Sequence, residues 1–167
     1  MVWKGVDAQT GAAIFGFLLF LGVPLSLVFG WLADKFPKNL VLFASAISGS
    51  TAFFLLASPS QSIWVIFLFV VLFAIAETAG SNNWATFGDY FGRKAYGRLR
   101  GITQLASSPG VFLAPLFSTW WFGQTGSYAL PLWVFTVIFA LSAISFALMR
   151  RPVYLEPSGD VAASPTI

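Results

Sequence analysis

The ionisable residues of this 167-residue chain occur only in clusters, and that placement limits the possible folds more than any other feature. Residues 8–33, 39–76 and 101–149 contain no Asp, Glu, Lys or Arg. A helix needs roughly 20 apolar residues to cross about 30 Å of hydrocarbon, so every window is long enough to span a bilayer. Composition points the same way, with 57% hydrophobic and 9% charged residues, where a soluble domain carries about 25% charged. The same figures exclude disorder, which needs low hydrophobicity and high charge. A net charge of +3 is too small and too scattered for a nucleic-acid footprint. The chain has no Cys and no His. Disulfides, thiolate nucleophiles, zinc ligation and the commonest acid–base group at neutral pH are thereby removed. An enzyme is not expected, and neither are catalytic residues, a metal or a cofactor.

Turn signals divide the windows. Ser58-Pro59-Ser60-Gln61-Ser62 breaks the second, and Gly123-Gln124-Thr125-Gly126-Ser127 breaks the third. The reading is an all-α integral membrane protein with five spans, at about 11–33, 40–57, 63–87, 99–122 and 128–149. Open strands cannot span lipid because their backbone groups would go unpaired, and the alternation of a membrane barrel is absent. Residues 1–152 thus form a transmembrane bundle, and the polar stretch 153–167, with Pro157, Gly159 and Pro165, reads as a disordered tail.

Basic residues set the expected orientation. Lys35, Lys38, Arg93, Lys94, Arg98, Arg100, Arg150 and Arg151 fall on one side of the five-span arrangement, and Lys4 alone on the other. That puts the N-terminus outside and the C-terminus in the cytoplasm, in a cell (plasma or inner) membrane. The N-terminal apolar run is too long for a secretory signal and has no A-x-A-like site. An odd span count with an outside N-terminus leads to the expectation that further helices precede this segment.

Gly30-Trp31-Leu32-Ala33-Asp34-Lys35-Phe36-Pro37-Lys38 lies where the first span meets the inside face. It resembles the G-x-L-A-D-[RK]-x-G-[RK] signature of the major facilitator superfamily, with Pro37 where that family usually has Gly. Gly30 would let another helix approach, Asp34 would face a helix dipole, and Lys35 and Lys38 would anchor the turn. A second stretch, Gly88-Asp89-Tyr90-Phe91-Gly92-Arg93-Lys94-Ala95-Tyr96-Gly97-Arg98-Leu99-Arg100-Gly101, is similar to the segment between helices ten and eleven of monocarboxylate and oxalate/formate porters. Gly110–Pro115 and Gly126-Ser127-Tyr128 resemble helix eleven and the opening of helix twelve. The resemblance implies helices eight to twelve, most of one six-helix half. Helices two to six of the other half are the alternative register, since the halves are pseudo-repeats.

Glu77 is the only charge deep within a span, about 14 Å from its inside end. A carboxylate there is costly and is a functional candidate by default. It reads as a proton or substrate carrier, or alternatively as a neutral structural acid. It shares a helix face with Val70, Ser81, Trp84 and Gly88. Asn82, one turn before Thr86, is a further pathway candidate or interhelical glue. Gln104, Ser107 and Ser108 form a stripe before Pro109-Gly110 and Pro115, in a helix able to bend while lining a pathway. Arg93, Arg98 and Arg100 are anchors at the inside face, and Arg93 or Arg98 could close an inside gate with Asp89 or Asp34.

What the resemblance implies is a fragment of a secondary transporter that moves a small solute by alternating access. An organic anion is the class suggested by the porter likeness, with protons coupled through Glu77. Expected partners are membrane lipid, the missing N-terminal half, the solute and protons. Such porters typically hold their anion with an Arg in the C-terminal half, and no Arg lies deep in a span here. Either the missing half supplies it or the solute is not a small carboxylate. The competing reading is a stand-alone membrane scaffold or assembly subunit.

Overall fold

A computed structural model of the chain describes residues 7–60 and 62–149, with the backbone alone at 8, 81–83, 85, 87 and 89–95. The expected tail 153–167 and the anchors Arg150 and Arg151 lie outside the described residues. Four helices account for nearly everything described: α1 (Ala8–Lys35), α2 (Lys38–Ala57), α3 (Ile63–Thr125) and α4 (Ala129–Leu148). Among the described residues four stretches are long and apolar enough to cross a membrane: Gln9–Lys35, Lys38–Ala57, Ile63–Gly80 and Ala129–Leu148. The stretch expected as a separate span at 99–122 lies inside α3 and is not one of the four, because Gln104, Ser107, Ser108 and two prolines dilute it.

Local chemistry explains the helix ends. Asp7 caps α1 by accepting the Thr10 amide at 3.0 Å. Pro37, which cannot donate a backbone hydrogen bond, stands between α1 and α2. Ser58 closes α2 with its hydroxyl on the Leu55 carbonyl at 2.6 Å, just before Pro59. Gly126 ends α3 in the left-handed region at φ 67°, where its amide reaches the Phe122 carbonyl at 2.8 Å.

α2 is the centre of the bundle. Between apolar helices in lipid, close packing and interhelical hydrogen bonds replace the hydrophobic drive, and α2 has the small residues both require. A Cβ at Gly49 would collide with the Phe139 ring of α4 and lie 3.0 Å from the Ala76 Cβ of α3. Ser45 shares a hydrogen bond with Thr78 of α3 at 3.2 Å, and Ser50 donates to the Thr136 carbonyl of α4 at 3.0 Å. Phe53 joins the same two helices, with Phe73, Phe135 and Phe139 at centroid distances of 5.3, 5.4 and 5.4 Å. These pairings make α2 antiparallel to both α4 and the start of α3. α1 runs parallel to the start of α3, with Ile14 and Leu18 joining Ile66, Phe69 and Val70 in the core.

α3 is not straight. The Arg100 guanidinium lies 5.1 Å from the centroid of the Trp84 ring, and a Cβ on Gly88 would lie 3.9 Å from Tyr96 Cδ2. Along a straight helix those pairs would be about 24 Å and 12 Å apart, too far for the side chains to bridge. The helix therefore bends sharply between Gly88 and Tyr96. Its far end confirms the fold-back. Tyr128, stacked on Phe122 at 4.4 Å, packs against the core that holds Ile66, at the end of the bundle where α3 began. The turn expected as a loop is thus a bend within one helix, and α3 has two arms. The second arm lies off the bundle, with Leu105, Val111 and Phe112 at least 70% exposed.

Candidate functional site

The motif at the α1–α2 turn is laid out in the open. Gly30 has no atom within 4 Å of where its Cβ would stand, so the approach expected there is not made by this chain's own described atoms. Asp34 and Lys35 are exposed. The Lys35 ammonium sits 4.0 Å over the Trp31 ring, a cation–π contact that holds it at the helix end. Lys38 is half-buried at the first position of α2.

At the bend, four expected residues meet different fates. Arg100 is held on two sides, by the Trp84 ring and by a 3.4 Å hydrogen bond to the Tyr96 hydroxyl. Arg98 is exposed and makes no ion pair with Asp34 among the described residues. The side chains of Asp89 and Arg93 lie outside the described residues, and so does that of Asn82. Tyr96 was not singled out as a site residue. The signal for it was its place in the Gly-rich basic segment, eight positions beyond Gly88 on the other side of the bend.

Above the bend, Glu77 is exposed on the first arm, and among the described residues it makes no hydrogen bond or ion pair. Gln104, Ser107 and Ser108 are exposed on the second arm. Both serine hydroxyls donate to the Gln104 carbonyl, at 3.1 and 2.7 Å. No hydrogen bond joins Glu77 to this stripe among the described residues. The buried polar groups are elsewhere: Ser45, Ser48, Ser50, Thr78 and Thr86. Those on α2 lie four residues from small neighbours, Ser45 from Gly49 and Ala46 from Ser50, and that spacing was the legible sign of a close helix contact.

The described residues thus form an apolar helical bundle with a charged turn at one end and exposed polar residues on both arms of α3. Residues 5–166 match the profile of the Major Facilitator Superfamily. The chain belongs to that superfamily. It is an integral membrane protein. Three relatives named "Putative proline/betaine transporter", from Staphylococcus aureus strains COL, MSSA476 and N315, are each 28% identical over 149 residues. The match covers 86% of this chain and 31% of each relative, so the chain spans about a third of the length of those proteins. No solved structure matches the chain.

Proposed function

We propose that this chain forms one bundle of a secondary transporter that moves a small solute by alternating access. The observation that carries the reading is the superfamily match across residues 5–166, which includes every helix of the bundle. Alternating access in this superfamily rocks one bundle against another around a site near the bilayer midplane. The bare outer faces of α1 and of the second arm of α3 are suited to lipid and to such a second bundle. In this reading the chain corresponds to helices eight to twelve, α3 crosses the membrane twice, and the polypeptide starts outside and ends in the cytoplasm of a cell membrane. Gly30, Asp34, Lys35 and Lys38 act as a latch on the inside face, and Glu77 carries a proton or the solute's charge.

The relatives' names favour a zwitterionic solute such as proline or betaine over the organic anion of the porter likeness. Uptake of radiolabelled proline, glycine betaine and propionate into proteoliposomes tests the reading, using the product of the complete reading frame. Accumulation of proline or glycine betaine is expected, driven by an imposed proton gradient. Failure to accumulate any of the three would overturn the zwitterion and anion assignments together.

A further inference from the structure

We infer that the two arms of α3 hold between them a site for the ammonium head of an amino-acid-like zwitterion, with Glu77 on one arm and Ser107, Ser108 and Gln104 on the other. The inference rests on the transporter reading and assigns its solute contact. Its basis is the register of the fold-back. Trp84 meets Arg100 and Gly88 meets Tyr96, and both pairs are equidistant from position 92. Carried upward, the same register sets Glu77 level with Ser107. Facing agrees with depth. At 100° per residue, Glu77 lies within about 20° of both Trp84 and Gly88, the residues that touch the second arm. By the same arithmetic, Ser107 lies within about 20° of both Arg100 and Tyr96, the residues that touch the first arm.

The face that carries Glu77 is covered at both ends and open between. Toward the outer end Val70 is fully buried, in a groove lined also by Ala13, Ile14 and Phe17 of α1. Toward the bend, Arg100 and Tyr96 close over Trp84 and Gly88. Glu77 and Ser107 are both exposed in the interval, which leaves room for a ligand between them.

The chemistry of the layer selects for positive charge. Glu77 is the only ionisable side chain between residues 39 and 88. Ser107 and Ser108 spend their hydroxyl protons on the Gln104 carbonyl, so both oxygens present lone pairs outward. A carboxylate and two acceptor oxygens suit an ammonium that still carries N–H groups. The Gln104 amide is the donor available to the ligand's own carboxylate. A secondary-amine zwitterion such as proline has two N–H groups to share between Glu77 and the serine oxygens, whereas a quaternary ammonium has none and leaves the serine oxygens unused.

Two measurements test this. The chain has no Cys, so Glu77→Cys with Ser107→Cys can be cross-linked by a short bis-methanethiosulfonate in membranes. Arg93 and Lys94 lie between the two positions, so after trypsin a cross-link keeps the pieces together on a gel. Joined pieces are expected, while Glu77→Cys with Leu105→Cys, which sits on another face, is expected to fall apart. The opposite pattern, or no joined pieces in either, overturns the facing of the arms. In the product of the complete reading frame, Glu77→Gln is expected to raise the KM for proline at least tenfold. Glu77→Asp should recover much of that loss, and Ser107→Ala should raise the KM by a few-fold. Proline uptake by Glu77→Gln with an unchanged KM would overturn the site and leave the transporter reading standing. No uptake of proline, glycine betaine or propionate by the unaltered protein, with the cross-link formed, would remove the transporter reading and the solute assignment while keeping the geometry.

Discussion

α2 and the second arm of α3 are both apolar helices long enough to traverse much of a bilayer, yet they occupy opposite situations. α2 buries Val41, Leu42, Ser45, Ala46, Ser48, Gly49, Ser50, Ala52 and Leu56. On the second arm, every residue from Arg100 to Leu113 except Thr103 is exposed. Hydrophobicity alone does not explain the difference in burial, because lipid solvates a leucine as well as another helix does. What separates them is where the small and polar residues go. On α2 they line the contact and let two neighbours approach, and Ser45 and Ser50 hydrogen-bond across. On the second arm, Ser107, Ser108, Ser118 and Thr119 return their hydroxyl protons to their own helix. The first pattern builds an interface, and the second leaves a face free for lipid, solute or another bundle.

The largest test of this contrast is aromatic. Phe53→Ala removes the ring that links α2 to Phe73 on α3 and to Phe135 and Phe139 on α4. A loss of about 3 kcal/mol is expected, the low end for an aromatic-to-alanine change in a packed core. Phe112→Ala, at a ring 70% exposed, should leave stability unchanged within about 0.5 kcal/mol. Thermal unfolding in detergent, followed by tryptophan fluorescence, reads both. Equal losses would mean that the second arm packs as tightly as α2, and the comparison would collapse.

Glycine sharpens the same point. Gly49→Leu forces a side chain into the Phe139 ring and the Ala76 methyl, and overpacking of this kind costs about 1–3 kcal/mol. Gly110 has no neighbour within 4 Å of a would-be Cβ. Gly110→Leu should therefore cost nothing, or gain up to about 0.8 kcal/mol of helix propensity. The two variants carry identical chemistry, so an opposite sign in the shift of the melting midpoint isolates the packing.

The parts of the fold legible in the sequence are those controlled by local chemistry. Asp7, Pro37, Pro59 and Gly126 each act on their own few residues, and the helix ends near them follow from residue type. The stretch 88–98 is expected as a connection between two spans because its charges cluster between apolar windows. It contains no proline, so no residue there forbids helical hydrogen bonds, and the backbone remains helical through a sharp bend. The Trp84–Arg100 contact that marks the bend joins residues sixteen apart, beyond the reach of any local pattern. Glu77 stood out as a lone charge in an apolar run. Its level with Ser107 was not legible, because it depends on where the helix turns back.

Interhelical hydrogen bonds provide a smaller test. Ser50→Ala deletes the bond to the Thr136 carbonyl of α4, and such bonds in lipid average about 0.6 kcal/mol. Ser118→Ala deletes a bond to the Ala114 carbonyl of its own helix and should shift the melting midpoint by less than the scatter of replicates. If Ser118→Ala proved the more damaging, the second arm would be an interface after all, with a partner on the side that carries Ser118.

The smallest expected effect lies where neither kind of packing applies, at the exposed start of α1. The Asp7 carboxylate accepts the Thr10 amide, and the hydrogen bonding from Thr10 holds its pKa below the ordinary value of 3.8. A carboxyl whose folded pKa is depressed adds stability above the unfolded value and loses it as pH falls through the folded value. The first turn of α1 should therefore be unaffected down to about pH 4 and should fray below it, seen as faster amide exchange at Thr10 and Gly11 than the pH dependence of exchange alone predicts. Asp7→Asn keeps a capping oxygen without an ionisable proton, so its first turn should exchange without that added acid-dependent rise. Among the described residues the core around Phe53 contains no carboxyl group and should show no such step in acid. An acid transition that removed α2 along with the first turn of α1 would mean that the bundle is coupled to its N-terminal cap, contrary to the separation between buried seam and exposed face.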